Sequence, residues 1–193
     1  MDNKEWIETY MEDVKSKIIN KELVDNMIAM KELILETRKN KKKIIFAGNG
    51  ASTLIANHGA LDYVNQLGVK TLSVESAGFI TAAGNDFGYE GIFERFVNLY
   101  AEEGDLIVVI SSSGNSANVI NAANRGRALG CKVVTFSGFK ETNPLRQCGD
   151  VNFYTDADEY NKAESIHNLW LVSVCDFILR DEMDKVGVHG LEF

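Results

Sequence analysis

The chain has 193 residues, 45% hydrophobic and 25% charged, with Pro144 as its only proline, which predicts one folded domain with a substantial core and little disorder. Its formal charge of −8 and pI near 4.9 exclude broad binding to a nucleic-acid backbone, which rests on arrays of Lys and Arg, so an anionic small molecule must be held by local dipoles. Cys131, Cys148 and Cys175 are widely spaced and form no CxxC pair. With an acidic, amphipathic amino terminus and no 18-residue apolar run, the pattern points to the cytoplasm and away from disulfides, zinc cages and membranes.

Residues 3 to 39 carry apolar side chains at helical spacing, from Trp6, Ile7, Tyr10 and Met11 to Leu33 and Ile34, and an interruption around Asn20 and Lys21 predicts two helices. The basic run RKNKKK, 38 to 43, reads as a solvated helix end. From Lys43 the pattern changes to short β-branched runs: KIIFAG, VKTLSVE (69 to 75), DLIVVIS (105 to 111), KVVTFSG (132 to 138) and VNFYT (151 to 155). Helical stretches separate them at about 52–66, 90–102 and 116–129, and a long one follows over 159–185. The alternation predicts an α/β fold, a three-layer α/β/α sandwich on a five-stranded parallel sheet over 43–185. Residues 1 to 40 form N-terminal helices whose apolar faces the sheet need not cover, which suits packing against another subunit.

In open parallel sheets, ligands collect at the carboxyl ends of the strands. Two glycine-containing segments fall there, FAGNGAS (46 to 52) and VVISSSGNSANV (108 to 119). In the second, Ser111, Ser112, Ser113 and Ser116 place four hydroxyl groups around Gly114, where a new helix presents N–H groups and the positive end of its dipole. An ordinary helix cap uses one hydroxyl; four suit a phosphate, and no lysine is needed. The first segment is neither GxxxxGK[ST] nor a complete GxGxxG, because Thr53 stands where the third glycine belongs. It reads as a tight turn with Asn49, Gly50 and Ser52 near a ligand. His58 and Asp62 share a helix face at i, i+4, and Glu164 and His167 lie at i, i+3 on the last helix. Each is a surface pair, a half-formed metal site or an acid and a base. His189, in a polar tail, has no such partner in sequence.

With both loops in hand, the chain resembles the sugar isomerase (SIS) domain family, in particular its sedoheptulose 7-phosphate isomerase branch. The residues that carry the resemblance are GNGAS, AAGNDFGYEGIFERF (82 to 96), EEGDLIVVISSSGNSANVINAA (102 to 123) and GCKVVTFSG (130 to 138). The resemblance implies interconversion of sedoheptulose 7-phosphate with a heptose 7-phosphate, on the way to heptoses of bacterial surface glycans. It implies that Ser111, Ser112, Ser113 and Ser116 hold the phosphate, that Asn49, Gly50 and Ser52 line the sugar site, and that Asn85 and Asp86 contribute from a GND loop. It also implies a homotetramer with sites between subunits.

The chain departs from that pattern in its acid–base set. Asp62 stands where the family has a catalytic glutamate, one methylene longer; Glu164 replaces a glutamine; and Val172 occupies the position of a catalytic, zinc-binding histidine. Valine transfers no proton and binds no metal. Asp62 and Glu164 are then the candidate bases, with His58 or His167 as partner. His58, Asp62 and Glu164 would supply three ligands to zinc, but with the fourth lost at Val172 no metal is expected to be required. The alternatives are a protein that binds a sugar phosphate or a protein partner without turnover, and an isomerase of another phosphosugar.

Overall fold

The computed structural model describes residues 1–186; His189 and the tail around it lie outside the described residues. Two helices, α1 (Asn3–Ile18) and α2 (Leu23–Lys39), precede the alternating part, and the break between them falls at the predicted Asn20 and Lys21. There follow β1 (Lys43–Gly48), α3 (Ala51–Leu67), β2 (Lys70–Ser73), α4 (Ala77–Phe87), α5 (Ile92–Tyr100), β3 (Leu106–Ser111), α6 (Ala117–Ala128), β4 (Lys132–Ser137), β5 (Val151–Tyr154) and α7 (Tyr160–Val186). The five strands form one parallel sheet in the order β2-β1-β3-β4-β5. The expected α/β sandwich is therefore present.

Alternation along the strands splits the interior in two. Ile44 and Phe46 of β1 with Leu106, Val108 and Ile110 of β3 point to a core closed by α2, α3 and α7. Ile45 and Ala47 with Ile107 and Val109 point to the opposite core, closed by α4, α5 and α6. Because both faces are covered, β3 reads as a continuous apolar run and every residue of it is buried. The exposed backbone of the edge strand β5 is capped from the α1–α2 junction: Asn20 Nδ2 donates to the Tyr154 carbonyl at 2.8 Å and Asn26 Nδ2 to the Asn152 carbonyl at 2.9 Å.

One feature differs from the sequence-based expectation. The segment before Phe87, expected as a loop carrying Asn85 and Asp86, is the helix α4, started by the Ser76 side chain accepting from the Phe79 amide. Gly78 and Gly84 lower its intrinsic helix propensity and hide it; packing of Ala83 into the second core supplies what propensity lacks. The helix α1 buries none of its residues: Trp6, Ile7 and Met11 are each more than half exposed. It is tied to the body through Lys162 Nζ, which lies 2.6 Å from both Asp13 and Glu159. Among the described residues no helix is long and apolar enough to cross a membrane.

Candidate active site

The strand order reverses direction between β1 and β3, and this switch point opens a crevice at the carboxyl ends of the two strands. Both glycine loops flank it. After β1 the chain turns through Gly50, at φ 55°, a left-handed conformation that disfavours side chains. Gly48 is also constrained, since a Cβ there would lie 2.8 Å from the backbone of Ser52. The Thr53 hydroxyl donates to the Gly48 carbonyl and closes the turn.

After β3 the chain turns through Gly114 (φ 65°), whose amide donates to the Ser111 carbonyl at 3.0 Å. Ser111 and Ser112 are buried, with Ser113 and Ser116 half-buried beside them. The Ser116 side chain makes no capping bond to its own helix; its Oγ instead lies 3.1 Å from Ser111 Oγ. The first turn of α6 thus keeps N–H groups with no side-chain acceptor, next to a cluster of hydroxyls. Hydroxyls and a helix N-terminus in this arrangement can accept a phosphate without a cation.

The two loops are joined. Asn49 Nδ2 donates to Asn118 Oδ1 and Asn118 Nδ2 donates to Asn49 Oδ1, each at 2.9 Å, while the Tyr89 hydroxyl donates to Asn49 Oδ1 at 2.8 Å. The sequence points to Asn49 but to neither of these partners. The available signal for Asn118 is a polar residue on the otherwise apolar inward face of α6, with Val119, Ala122 and Ala123, where it is 2% exposed. Asn85 and Asp86 sit exposed at the end of α4, with Asn85 Nδ2 donating to Asp86 Oδ1 at 2.9 Å.

The acid–base candidates come from α3 and α7, which pack side by side. His58 Nε2 lies 3.2 Å from Asp62 Oδ2, and His58 Nδ1 lies 3.0 Å from Asn168 Oδ1. Glu164 does not bond to His167, as its spacing had allowed. It turns to the serine loop, where Ser112 Oγ donates to Glu164 Oε1 at 3.4 Å. His58, Glu164 and Asn168 line one cavity of about 360 Å³ between the two helices, together with Leu54 and Ile55. Hollows of about 660 and 410 Å³ lie along the β5 edge. No histidine lines either of them, and Arg146, which lines both, is held by Glu22 and Glu141 at 3.0 Å each. The cavity between α3 and α7 differs from them in holding a histidine and a carboxylate together, His58 and Glu164.

His167 is separated from this set. It is wholly buried, 6.0 Å by ring centroid from Phe136, with Nε2 3.0 Å from the Ser137 carbonyl. A carbonyl accepts only, so the neutral ring carries its proton on Nε2, and Nδ1 finds no partner among the described residues. Burial pushes its pKa down to about 4, against the opposing pull of the Ser137 carbonyl. Among the described residues, no three His, Cys, Asp or Glu side chains gather closely enough to hold a metal ion. His58 and Asp62 bond to each other, Glu164 faces Ser112, and Val172 follows on α7. This donor set does not fit zinc.

The fold and these loops define an α/β domain with a loop-lined crevice at the carboxyl edge of a parallel sheet. The SIS domain family model matches residues 8–138, more than half of the chain, and the chain belongs to that family. It is 34% identical over 155 residues to the phosphoheptose isomerase of Aliarcobacter butzleri, covering 76% of this chain and 80% of that one. It is 31% identical over 159 residues to the phosphoheptose isomerase of Helicobacter pylori, covering 79% and 82%. Among solved structures, the phosphoheptose isomerase of Neisseria gonorrhoeae superimposes with a TM-score of 0.84 at 27% identity, over 92% of this chain and 98% of that chain. That of Francisella tularensis gives 0.84 at 25%, over 93% and 100%.

Proposed function

We propose that the protein is a phosphosugar ketose–aldose isomerase acting on sedoheptulose 7-phosphate, supplying a heptose 7-phosphate for bacterial surface glycans. The observation that carries this reading is the bond from Ser112 to Glu164, which ties a carboxylate of α7 to the hydroxyl loop. A sugar phosphate held by Ser111, Ser112, Ser113 and Ser116 at the start of α6 then extends its carbonyl end toward groups that can move protons. Asn49, Gly50 and Ser52 approach the sugar from the first loop, and Asn85 and Asp86 line its outer side. A carboxylate, Asp62 or Glu164, takes the proton from C1 of the ketose and returns it to C2 of the enediolate, while the hydroxyl proton passes from O1 to O2. His58, in contact with Asp62, is the histidine suited to assist; His167 is buried against the Ser137 carbonyl at the end of β4.

In this reading the whole chain, residues 1 to 193, is one domain and works in the cytoplasm as a homotetramer with its sites between subunits. The uncovered apolar face of α1, with Trp6, Ile7 and Met11, is the surface that another copy would bury.

The test is incubation with sedoheptulose 7-phosphate in deuterated water, followed by NMR. The expected result is aldose formation with deuterium at the carbon beside the carbonyl. A folded sample that the same sugar phosphate stabilises, but that shows neither product nor exchange, overturns the isomerase reading and leaves a sugar-phosphate binder. Sedimentation of wild type and Trp6→Lys checks assembly, with dissociation expected in the variant.

A further inference from the structure

The contact between His58 and Asn168 joins α3 to α7 across the cavity and is required by neither helix for its own stability. His58 is flanked on both ring nitrogens, by Asp62 at Nε2 (3.2 Å) and by the Asn168 amide at Nδ1 (3.0 Å). An ionised carboxylate only accepts, so a neutral His58 satisfies Asp62 only by carrying its proton on Nε2. Nδ1 is then a bare lone pair and needs a donor. The Asn168 side chain can supply one, because its amide turns end for end with little change in shape, bringing NH₂ in place of the oxygen. Asp, Glu or a carbonyl at this place would instead pull the proton to Nδ1 and leave two lone pairs facing each other between Nε2 and Asp62.

We propose that Asn168 is a positioning residue: its amide donates to His58 Nδ1, fixes the ring in the Nε2–H form and aims that proton at Asp62. The inference rests on the isomerase reading only for its kinetic consequence. An exposed histidine on a helix surface is ordinarily free to rotate about χ1 and χ2, and its two neutral forms interconvert through solvent. Held between Asp62 and Asn168, the ring keeps one orientation, and the Asp62 carboxylate is held in turn. Asn168 is half-buried and lines the cavity with His58, close enough for the loss of its amide to be felt there.

The deciding experiment is long-range ¹H–¹⁵N NMR of the histidine rings at pH 8.5, about two units above the ordinary imidazole value of 6.5, on wild type, Asn168→Gln, Asn168→Leu and Asn168→Asp. His58→Gln assigns the resonances. Wild type is expected to show His58 as the Nε2–H form alone. Asn168→Leu should give a mixture of the two neutral forms, and Asn168→Asp should move the proton to Nδ1. Asn168→Gln, which keeps the donor, should restore the wild-type spectrum at least partly. Turnover of sedoheptulose 7-phosphate in Asn168→Leu should fall about tenfold in kcat with KM changed less than twofold. An unaltered His58 spectrum in both the Leu and Asp variants overturns the proposal. If wild type shows the expected spectrum and the variants shift it, yet no variant or wild type turns the sugar over, the positioning role stands and the isomerase reading falls.

Discussion

Asn49 and Asn118 bind each other twice, each amide nitrogen donating to the other's oxygen at 2.9 Å. One residue follows β1 and the other lies in the first turn of α6 after β3, so the pair bolts the two glycine loops together across the switch point.

Breaking that bolt has two consequences. Asn118→Leu leaves Asn49 Nδ2 without its acceptor in a half-buried place, and should lower unfolding stability by about 1–3 kcal/mol. Because the loops would no longer share a frame, KM for the sugar phosphate should rise at least several-fold. Urea denaturation and steady-state kinetics on the same preparation check both effects.

Asp62→Asn and Glu164→Gln preserve shape and remove the ability to take a proton. Each should reduce kcat at least about a hundredfold, the lower end of what a positioned acid or base contributes. Deuterium exchange into the substrate separates the two: the variant that loses exchange altogether has lost the base at carbon. Near-normal turnover in both would remove these residues from the chemistry.

Gly114→Ala should disable the hydroxyl loop. A Cβ there would lie 2.0 Å from Asn143 Oδ1, and Asn143 is buried with its amide nitrogen already bonded to the Lys140 carbonyl at 2.8 Å. The left-handed φ of 65° adds conformational strain for any side chain. Sedoheptulose 7-phosphate should bind at least about tenfold more weakly, with a smaller ligand-induced rise in Tm. Isothermal titration and thermal unfolding measure these.

His167 makes stability depend on pH in a defined direction. Its pKa in the folded protein is about 4, below the ordinary 6.5, so the unfolded chain binds more protons between those values. Stability is fully present above about pH 6.5 and falls as the pH drops toward 4, by up to about 3 kcal/mol. His167→Gln should flatten this part of the stability profile, as read from chemical denaturation at a series of pH values.

The strands and both ligand loops were legible in the sequence because their signals are local. KIIFAG and DLIVVIS are short β-branched runs ended by turn residues, and four serines around one glycine exceed what a helix cap needs. The helix α4 was not legible, since Gly78 and Gly84 weaken a local signal that burial of Ala83 later overrides. The partners of Asn49 were out of reach for another reason: Asn118 is 69 residues away in sequence and Tyr89 is 40, and only the parallel pairing of β1 with β3 brings their elements to one crevice.

The two histidines mark the limit most clearly. By sequence alone, His58 with Asp62 and His167 with Glu164 are equivalent, each a ring one helical turn from a carboxylate, and helical periodicity by itself determined that they could meet. Which of them did was decided by how α7 lies on the sheet. That packing turns His167 inward beside Phe136 and Trp170 and leaves Glu164 toward Ser112. The outward face of α7 presents Asn168 to His58 instead. Local spacing sets which side chains share a helix face; only burial of the apolar residues around them sets which face looks into the core and which into the site.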